Sequence, residues 1–288
     1  MNIDPIAIPD QTHPSQLHLR TADLPRLLDF YQNAIGLTIV DQTPTTASLA
    51  ADKSGPPMLV LTEDRAAVSR HRRTTGLYHL AILHPTRRDL SHALRRVSRY
   101  TPLDGAADHL VSEALYLRDP DQNGVELYTD RPASQWTWGS NGEVGMANDP
   151  LDVKALLSIS DHEPSPATVS PQTTLGHIHL QVVDLPSTQR FFHDFLGMLI
   201  TLRLYPGALF VAAGKYHHHI GANVWGSPQP APANSVGLIS YRLQIPEAQF
   251  LAELPARAKQ FGYETDSADK NLLRIRDPNG HWLELQAD

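Results

Sequence analysis

No cysteine occurs anywhere in the chain, so disulfides, thiolate nucleophiles and sulfur-ligated metals are excluded, and any metal must be held by nitrogen and oxygen. Nor is there an apolar run long enough to span a bilayer. The stretch from Met1 to Pro14 carries acids and prolines where an export signal would carry a basic and then an apolar segment, so the expected location is the cytoplasm. Positive charge is scarce. Lys and Arg total 24 against 31 Asp and Glu, a formal net charge of −7, with no basic run dense enough to track a phosphate backbone. Neither nucleic acid nor an anionic membrane is an expected ligand, which leaves a small molecule. What remains is an ordinary globular composition, 41% hydrophobic and 19% charged, in 288 residues, enough for two domains of common size.

The chain repeats itself. Gln16-Leu-His-Leu-Arg-Thr-Ala-Asp-Leu-Pro25 aligns without gaps to His177-Ile-His-Leu-Gln-Val-Val-Asp-Leu-Pro186, an offset of 161 residues. Each copy runs into a helical segment with paired aromatics (Phe30 and Tyr31, Phe191 and Phe192) and a stopping glycine, Gly36 or Gly197. Gly76-Leu-Tyr-His79 and Gly237-Leu-Ile-Ser240 share the same offset and open alternating strand patterns. Both copies close on a strand, an Asp-Pro turn and a strand: Leu115 to Pro120 before Val125-Glu126-Leu127, and Leu273 to Pro278 before Leu283-Glu284-Leu285. The pattern divides the chain into four modules near 14–64, 74–130, 172–226 and 236–287. The domain boundaries expected from it are 1–135 for modules one and two, 136–171 for a connecting segment, and 172–288 for modules three and four. Within the connector, Ser158 to Pro171 is rich in Pro and Ser and reads as a linker. The part before it, with Trp136, Trp138 and a short helix over Leu151 to Leu157, reads as packing or interface.

A strand-helix-strand-strand-strand module with a histidine in its first strand, and an Asp-Pro turn with a glycine before a strand-borne Glu, resembles the vicinal oxygen chelate superfamily. That superfamily includes glyoxalases, bleomycin resistance proteins and extradiol dioxygenases. Tyr216-His-His-His-Ile-Gly-Ala-Asn-Val-Trp225, Gly76 to His79 and Ser112 to Pro120 are similar to its catechol 2,3-dioxygenase branch, and the likeness covers nearly the whole chain. The resemblance implies an α+β fold in which four βαβββ modules form two open barrels, or cups. It also implies an inward ligand slot on the first and last strand of each module. The first-strand slots hold Gln16, His79, His177 and Ser240, and the last strands of modules two and four hold Glu126 and Glu284. Modules two and three together complete a set of two histidines and one carboxylate, His79, Glu126 and His177, the ligand set of non-haem Fe(II) oxygenases, with Mn(II) as the alternative metal. By the same resemblance Tyr116, ten residues before Glu126, is the tyrosine that hydrogen-bonds a catechol oxygen, and His109 is the histidine that precedes it. His218 fits the frame of the acid-base histidine, with His217 and His219 left open as alternatives because a one-residue slip of a strand exchanges faces.

The expected activity is extradiol cleavage of catechol or a substituted catechol by O2, with no Ser or Lys nucleophile. Two neutral imidazoles and one carboxylate leave Fe(II) with a net charge near +1, which suits chelation by a catechol monoanion. Two alternatives stand beside it. A glyoxalase-like lyase or isomerase needs a fourth protein ligand, and a bleomycin-resistance-type binding protein lacks the metal slots. A lone strand histidine is more often structural than a ligand. His18 and His179 accordingly read as cup lining or core, and His13, His71, His84, His92, His162, His193 and His281 as surface or turn residues. A second cup with Gln16, Ser240, Glu284 and Arg274 is expected to hold no metal. A homo-oligomer is left open.

Overall fold

The computed structural model describes residues 4–71, 73–203, 205–226, 229–269 and 271–287. Module one comprises β1 (His13–Thr21), α1 (Leu24–Asp29), β2 (Thr38–Gln42), β3 (Thr46–Ala50) and β4 (Leu59–Glu63). Module two comprises β5 (Gly76–Leu83), α2 (Arg87–Val97), β6 (Gly105–Asp108), β7 (Ser112–Arg118) and β8 (Gly124–Asp130). The connector adds a short strand β9 (Asp149–Pro150) and α3 (Val153–Ser158). Module three comprises β10 (Thr174–Gln181), α4 (Leu185–Gln189), β11 (Leu199–Leu202), β12 (Ala208–Ala212) and β13 (Ile220–Asn223). Module four comprises β14 (Gly237–Ile245), α5 (Ala248–Phe261), β15 (Thr265–Asp269), β16 (Leu272–Arg276) and β17 (Trp282–Ala287). The α+β class and the four βαβββ modules are therefore as the sequence implies.

Local chemistry explains the repeat. The Asp of each Asp-Leu-Pro triplet caps the helix that follows. Asp23 accepts from the Arg26 N–H at 3.1 Å and Asp184 from the Ser187 N–H at 2.7 Å, with the proline in the first turn, where its missing N–H costs nothing. Both helices widen into a π turn, Phe30–Ile35 and Arg190–Phe195, that buries the aromatic pairs. The first of these ends on Gly36 at φ 88°, a left-handed conformation that glycine adopts without a Cβ penalty. The Asp-Pro turns are pinned from within. Tyr31 donates its hydroxyl to Asp119 and Tyr241 to Asp277, at 3.0 and 3.1 Å.

The modules assemble into two curled sheets. One has the order β15-β16-β17-β14-β1-β4-β3-β2, the other β11-β12-β13-β10-β5-β8-β7-β6-β9. Each sheet thus takes one module from each half of the sequence: β1 pairs antiparallel with β14, and β5 with β10. Within each module the first strand runs parallel to the last. A continuous core fills the space between the sheets, with Leu17 and Leu19 of β1 and Ile178 and Leu180 of β10 among its members. Strand alternation then sends Gln16, His18, His177 and His179 to the concave faces. Here the sheets differ. Apart from its first residue, β10 is buried along its whole length, on both faces, whereas β1 and β17 alternate buried and partly exposed positions. A strand buried on both sides has something covering its second face, and in this sheet that is the wall of a cavity.

The connector is more firmly attached than its composition suggests. Ser160 and Ser91 share a hydrogen bond of 2.6 Å, Glu163 and Asp161 pair with Arg88 and Arg95 of α2, and Val169 is buried with its N–H on the Gly36 carbonyl. The stretch from Ser158 to Pro171 that reads as a linker is thus packed against α2 and the end of the first π turn. His84 and His92, expected as surface or turn residues, are both buried, His92 within α2. No helix among the described residues is long and apolar enough to cross a membrane.

Candidate metal centre and substrate cavity

Register brings three side chains together. Across the β5/β10 seam His177 lies opposite Ala81, and across the parallel β5/β8 pair Ala81 lies opposite Glu126. A methyl group at the centre of this row leaves room for the two longer chains to converge in front of it, joined by His79 two residues earlier on the same face. Gly124 makes that approach possible, because a Cβ there would lie 2.2 Å from the Tyr78 carbonyl. His79 Nε2 is 3.0 Å and His177 Nε2 3.2 Å from Glu126 Oε2, and the two imidazole nitrogens are 3.4 Å apart. All three residues are buried, and their donor atoms lie within 4.8 Å of one another, the one such cluster of three or more among the described residues. Two imidazoles and one carboxylate with a small residue between them fit a divalent cation that prefers N and O donors.

The electrostatics agree with that donor set. Burial pushes the His177 imidazole down to about 4 against the pull of Glu126, so the ring is neutral, as a ligand must be. For Glu126 burial acts upward, but His177 and His79 outweigh it and hold the carboxyl well below its ordinary range.

Tyr116 sits directly across the β7/β8 ladder from Glu126, so the ten-residue spacing in the sequence is the register of one hairpin. Burial, followed by the Glu126 charge, raises its phenol well above the usual value, and its hydroxyl is 2.7 Å from His109 Nε2. His109 Nδ1 in turn donates to the Ala147 carbonyl at 2.8 Å. On the other side the His218 ring packs 4.2 Å from that of His177 and 4.9 Å from Phe210. Burial, then the neighbouring imidazoles, lowers its pKa well below the ordinary histidine value.

The strand register that left His217 and His219 open as alternatives to His218 does not apply here. The segment before Ile220 is not a strand, since β13 begins there. His217 and His218 turn their rings together, Nδ1 to Nδ1 at 2.9 Å, while His219 accepts from the Ala213 N–H and stacks on Tyr216. Of the three only His218 lines the cavity. Behind it His217 Nε2 is 3.0 Å from Asp130, which also accepts from the Tyr216 hydroxyl at 2.9 Å.

The cavity above the three donors has a volume of about 400 Å³ and is lined by His79, Glu126, His177, Tyr116, His109 and His218 together with residues from further strands and loops. His179 lines it too, its Nε2 bonded to the Asn223 amide at 3.0 Å, in keeping with a lining role. Tyr78, Phe210, Tyr205 and Trp225 supply aromatic wall, and Met146 and Asn148 come from the connector. Sequence reading missed these last contributions. It assigned the connector to packing, and no periodicity marks a loop residue that closes a cavity. A signal did exist in Tyr78, which immediately precedes His79, and in Trp225, which ends the run from Tyr216.

The concave face of the other sheet is filled differently. Gln16 donates to the Pro57 carbonyl at 3.0 Å, His18 bonds Thr62 at 2.8 Å, and Glu284 is paired with Arg242 at 2.7 Å and Arg274 at 3.7 Å. Arg242 occupies the row position that Ala81 holds in the first sheet, opposite Gln16 and Glu284. A guanidinium therefore stands beside this carboxylate.

Curled half-barrels of βαβββ modules, with ligand slots on first and last strands, define the class as the vicinal oxygen chelate fold. The chain belongs to the Glyoxalase/Bleomycin resistance protein/Dioxygenase superfamily, whose family model matches residues 11–127. It is 40% identical over 278 residues to the Catechol-2,3-dioxygenase of Bacillus subtilis (strain 168), covering 94% of this chain and 96% of that one. A shorter match, 32% identical over 130 residues, joins 40% of this chain to 62% of Biphenyl-2,3-diol 1,2-dioxygenase 3 of Rhodococcus globerulus. Among solved structures, a putative dioxygenase from Bacillus subtilis shares the fold with a TM-score of 0.70 at 11% identity, covering 98% of this chain and 86% of that one. Glyoxalase I from Zea mays does so with a TM-score of 0.58 at 15% identity, over 96% and 92% of the two chains.

Proposed function

We propose that this chain is a non-haem Fe(II) extradiol dioxygenase that opens the ring of catechol or a substituted catechol with O2. The observation that carries the reading is the convergence of His79, Glu126 and His177 on the wall of a cavity of about 400 Å³ that also presents Tyr116, His109 and His218. The full-length similarity to a catechol-2,3-dioxygenase supports it. Those three ligands would hold Fe(II) or Mn(II), and when bound the metal supplies electron exchange between a catechol and O2.

The protein's own groups supply the rest. His109, anchored through Nδ1–H on the Ala147 carbonyl, accepts the Tyr116 hydroxyl proton at Nε2 and keeps that hydroxyl in place; with a catechol bound, the hydroxyl can turn its proton from His109 to an ionised catechol oxygen. His218, neutral at physiological pH, can take a proton from the second catechol hydroxyl and return it later in the reaction, work suited to an imidazole. Aromatic walls exclude bulk water, which strengthens each of these interactions. The product class is a hydroxymuconic semialdehyde, from cleavage of the ring bond adjacent to the diol. Among the described residues only three donors cluster, without the fourth ligand that a glyoxalase-like isomerase would require.

The test is metal analysis of protein purified without oxygen, with colour development on adding catechol. About one equivalent of iron or manganese per chain and a yellow ring-opened product are expected. Stoichiometric metal without turnover of any catechol would overturn the dioxygenase reading and leave a metal-binding protein.

A further inference from the structure

Charge in the cavity is sparse. Among its described lining residues the fixed charges are Glu126, enclosed by the two histidines, and the pair Asp104 and Arg118. Asp104 immediately precedes β6 and Arg118 ends β7, and the hairpin register sets them side by side, with Arg118 Nε 2.9 Å from Asp104 Oδ2. The Asp104 N–H donates to the Tyr116 carbonyl at 2.7 Å, which ties the carboxylate to the strand that bears the tyrosine. A further donor of Arg118 is spent on the Gln122 carbonyl at 3.3 Å. Side-chain exposures of 50% and 38% put the pair at the mouth. Arg70 is not among the described lining residues and donates to the carbonyls of Leu77, Thr74 and Thr75. The remaining wall is uncharged and largely aromatic.

We propose that Asp104 determines substrate specificity: by neutralising Arg118 at the cavity mouth it selects catechols whose ring substituent is uncharged and rejects those bearing a carboxylate. The inference rests on the dioxygenase reading and deepens it. A carboxylated ring entering here sheds water from its anionic group and finds no free cation in exchange among the described lining residues, and an ion moved out of water without a partner is strongly disfavoured. A guanidinium is the side chain best shaped to receive a carboxylate, but this one already faces Asp104. Apolar substituents meet Phe210, Met146, Tyr205 and Trp225, and gain by leaving water.

The experiment compares matched probes on the Fe(II)-loaded protein without oxygen, reading dissociation constants and not turnover. The pairs are 4-methylcatechol with 3,4-dihydroxybenzoate, and 3-methylcatechol with 2,3-dihydroxybenzoate, so that either ring position is covered. The wild type is expected to favour the methyl member of at least one pair by roughly tenfold or more. In Asp104→Asn, which frees Arg118, that preference should fall by about two- to fivefold, the scale of one partly exposed ion pair. Asp104→Glu should restore it, and adding Arg118→Gln to Asp104→Asn should abolish the gain in carboxylate binding. Equal wild-type affinities within both pairs, or an Asp104→Asn change that moves both members alike, would overturn the proposal while leaving the dioxygenase reading intact. Failure of every catechol to bind the loaded protein would overturn that reading and the proposal with it.

Discussion

Glu126 and Glu284 occupy equivalent strand positions in the two sheets, and exchanging each for glutamine should have opposite consequences. At Glu126 the amide keeps the shape and one acceptor oxygen but loses the charge facing His79 and His177, 3.0 and 3.2 Å away. Outer-shell changes alone typically cost 10- to 100-fold in metal affinity, so loss of the ligand carboxylate should exceed about 100-fold. At Glu284 the partner is Arg242, with both Nε and Nη2 on one carboxylate oxygen at 3.1 and 2.7 Å. Side-chain exposures of 27% for Arg242 and 13% for Glu284 place this pair between a surface and a buried ion pair, so neutralising it should cost about 1–3 kcal/mol. For a chain of this length that is a fall in Tm of about 2–6 °C. The assay is metal content after dialysis, followed by thermal unfolding with and without added Fe(II) under nitrogen. Glu126→Gln should unfold near the metal-free wild type and gain nothing from metal, because binding to the native state is what raises Tm. Glu284→Gln should retain metal and its stabilising effect from a lower baseline. Equal loss of metal in the two variants, or loss confined to Glu284→Gln, would refute the choice of cup.

Three further outcomes are expected. Tyr116→Phe should keep its metal and weaken catechol binding or turnover by about 1.5–3 kcal/mol, the worth of one hydrogen bond to an ionised oxygen; unchanged kinetics would remove Tyr116 from the site. His218→Asn should keep metal and bound catechol while cleavage falls by roughly 10²- to 10⁴-fold, as for a lost acid-base group. Loss of metal would make His218 a ligand, and unchanged cleavage would direct attention to His217. His84, buried with neither ring nitrogen hydrogen-bonded among the described residues, has its pKa lowered to about 3 by burial and then by Arg96. The unfolded chain therefore takes up a proton that the fold refuses, so stability is full above about pH 6.5 and is lost as the pH falls toward 3. At pH 5 the loss is on the order of 2 kcal/mol, and His84→Leu should remove it in urea titrations at pH 7.5 and 5; an unchanged pH slope would count against the assignment.

What could be read in advance follows from the resemblance and from periodicity. The resemblance implies the slots held by His79, Glu126 and His177, and the two-residue period with the 161-residue repeat tells where those slots fall in the chain. Tyr116 also comes from the resemblance, and the hairpin register accounts for its distance from Glu126. His218 precedes its strand, and there alternation has no force: the Nδ1 contact between His217 and His218 and the Asp130 anchor behind it depend on a loop. Met146 and Asn148 enter the cavity from the part of the connector that reads as packing or interface, where no pattern marks a cavity-lining residue. His84 looks like any histidine between a strand and a helix, and its burial is a tertiary fact.

The comparison of the two sheets carries one step more. Position for position, His177 becomes Gln16, His79 becomes Ser240, and Glu126 remains a glutamate as Glu284. Ligand loss alone would leave Glu284 as a partly buried carboxylate with only the longer contact to Arg274, a costly group. Ala81 becoming Arg242 removes that cost by bringing a guanidinium to 2.7 Å. The same exchange forbids the reverse role, since a side chain of that length and charge in front of Glu284 both fills the cradle and repels a divalent cation. Restoring two histidines at Gln16 and Ser240 would thus be insufficient to create a second metal site, whereas adding Arg242→Ala and Arg274→Tyr, which clear both guanidinium groups from Glu284, should permit metal uptake at the second cup.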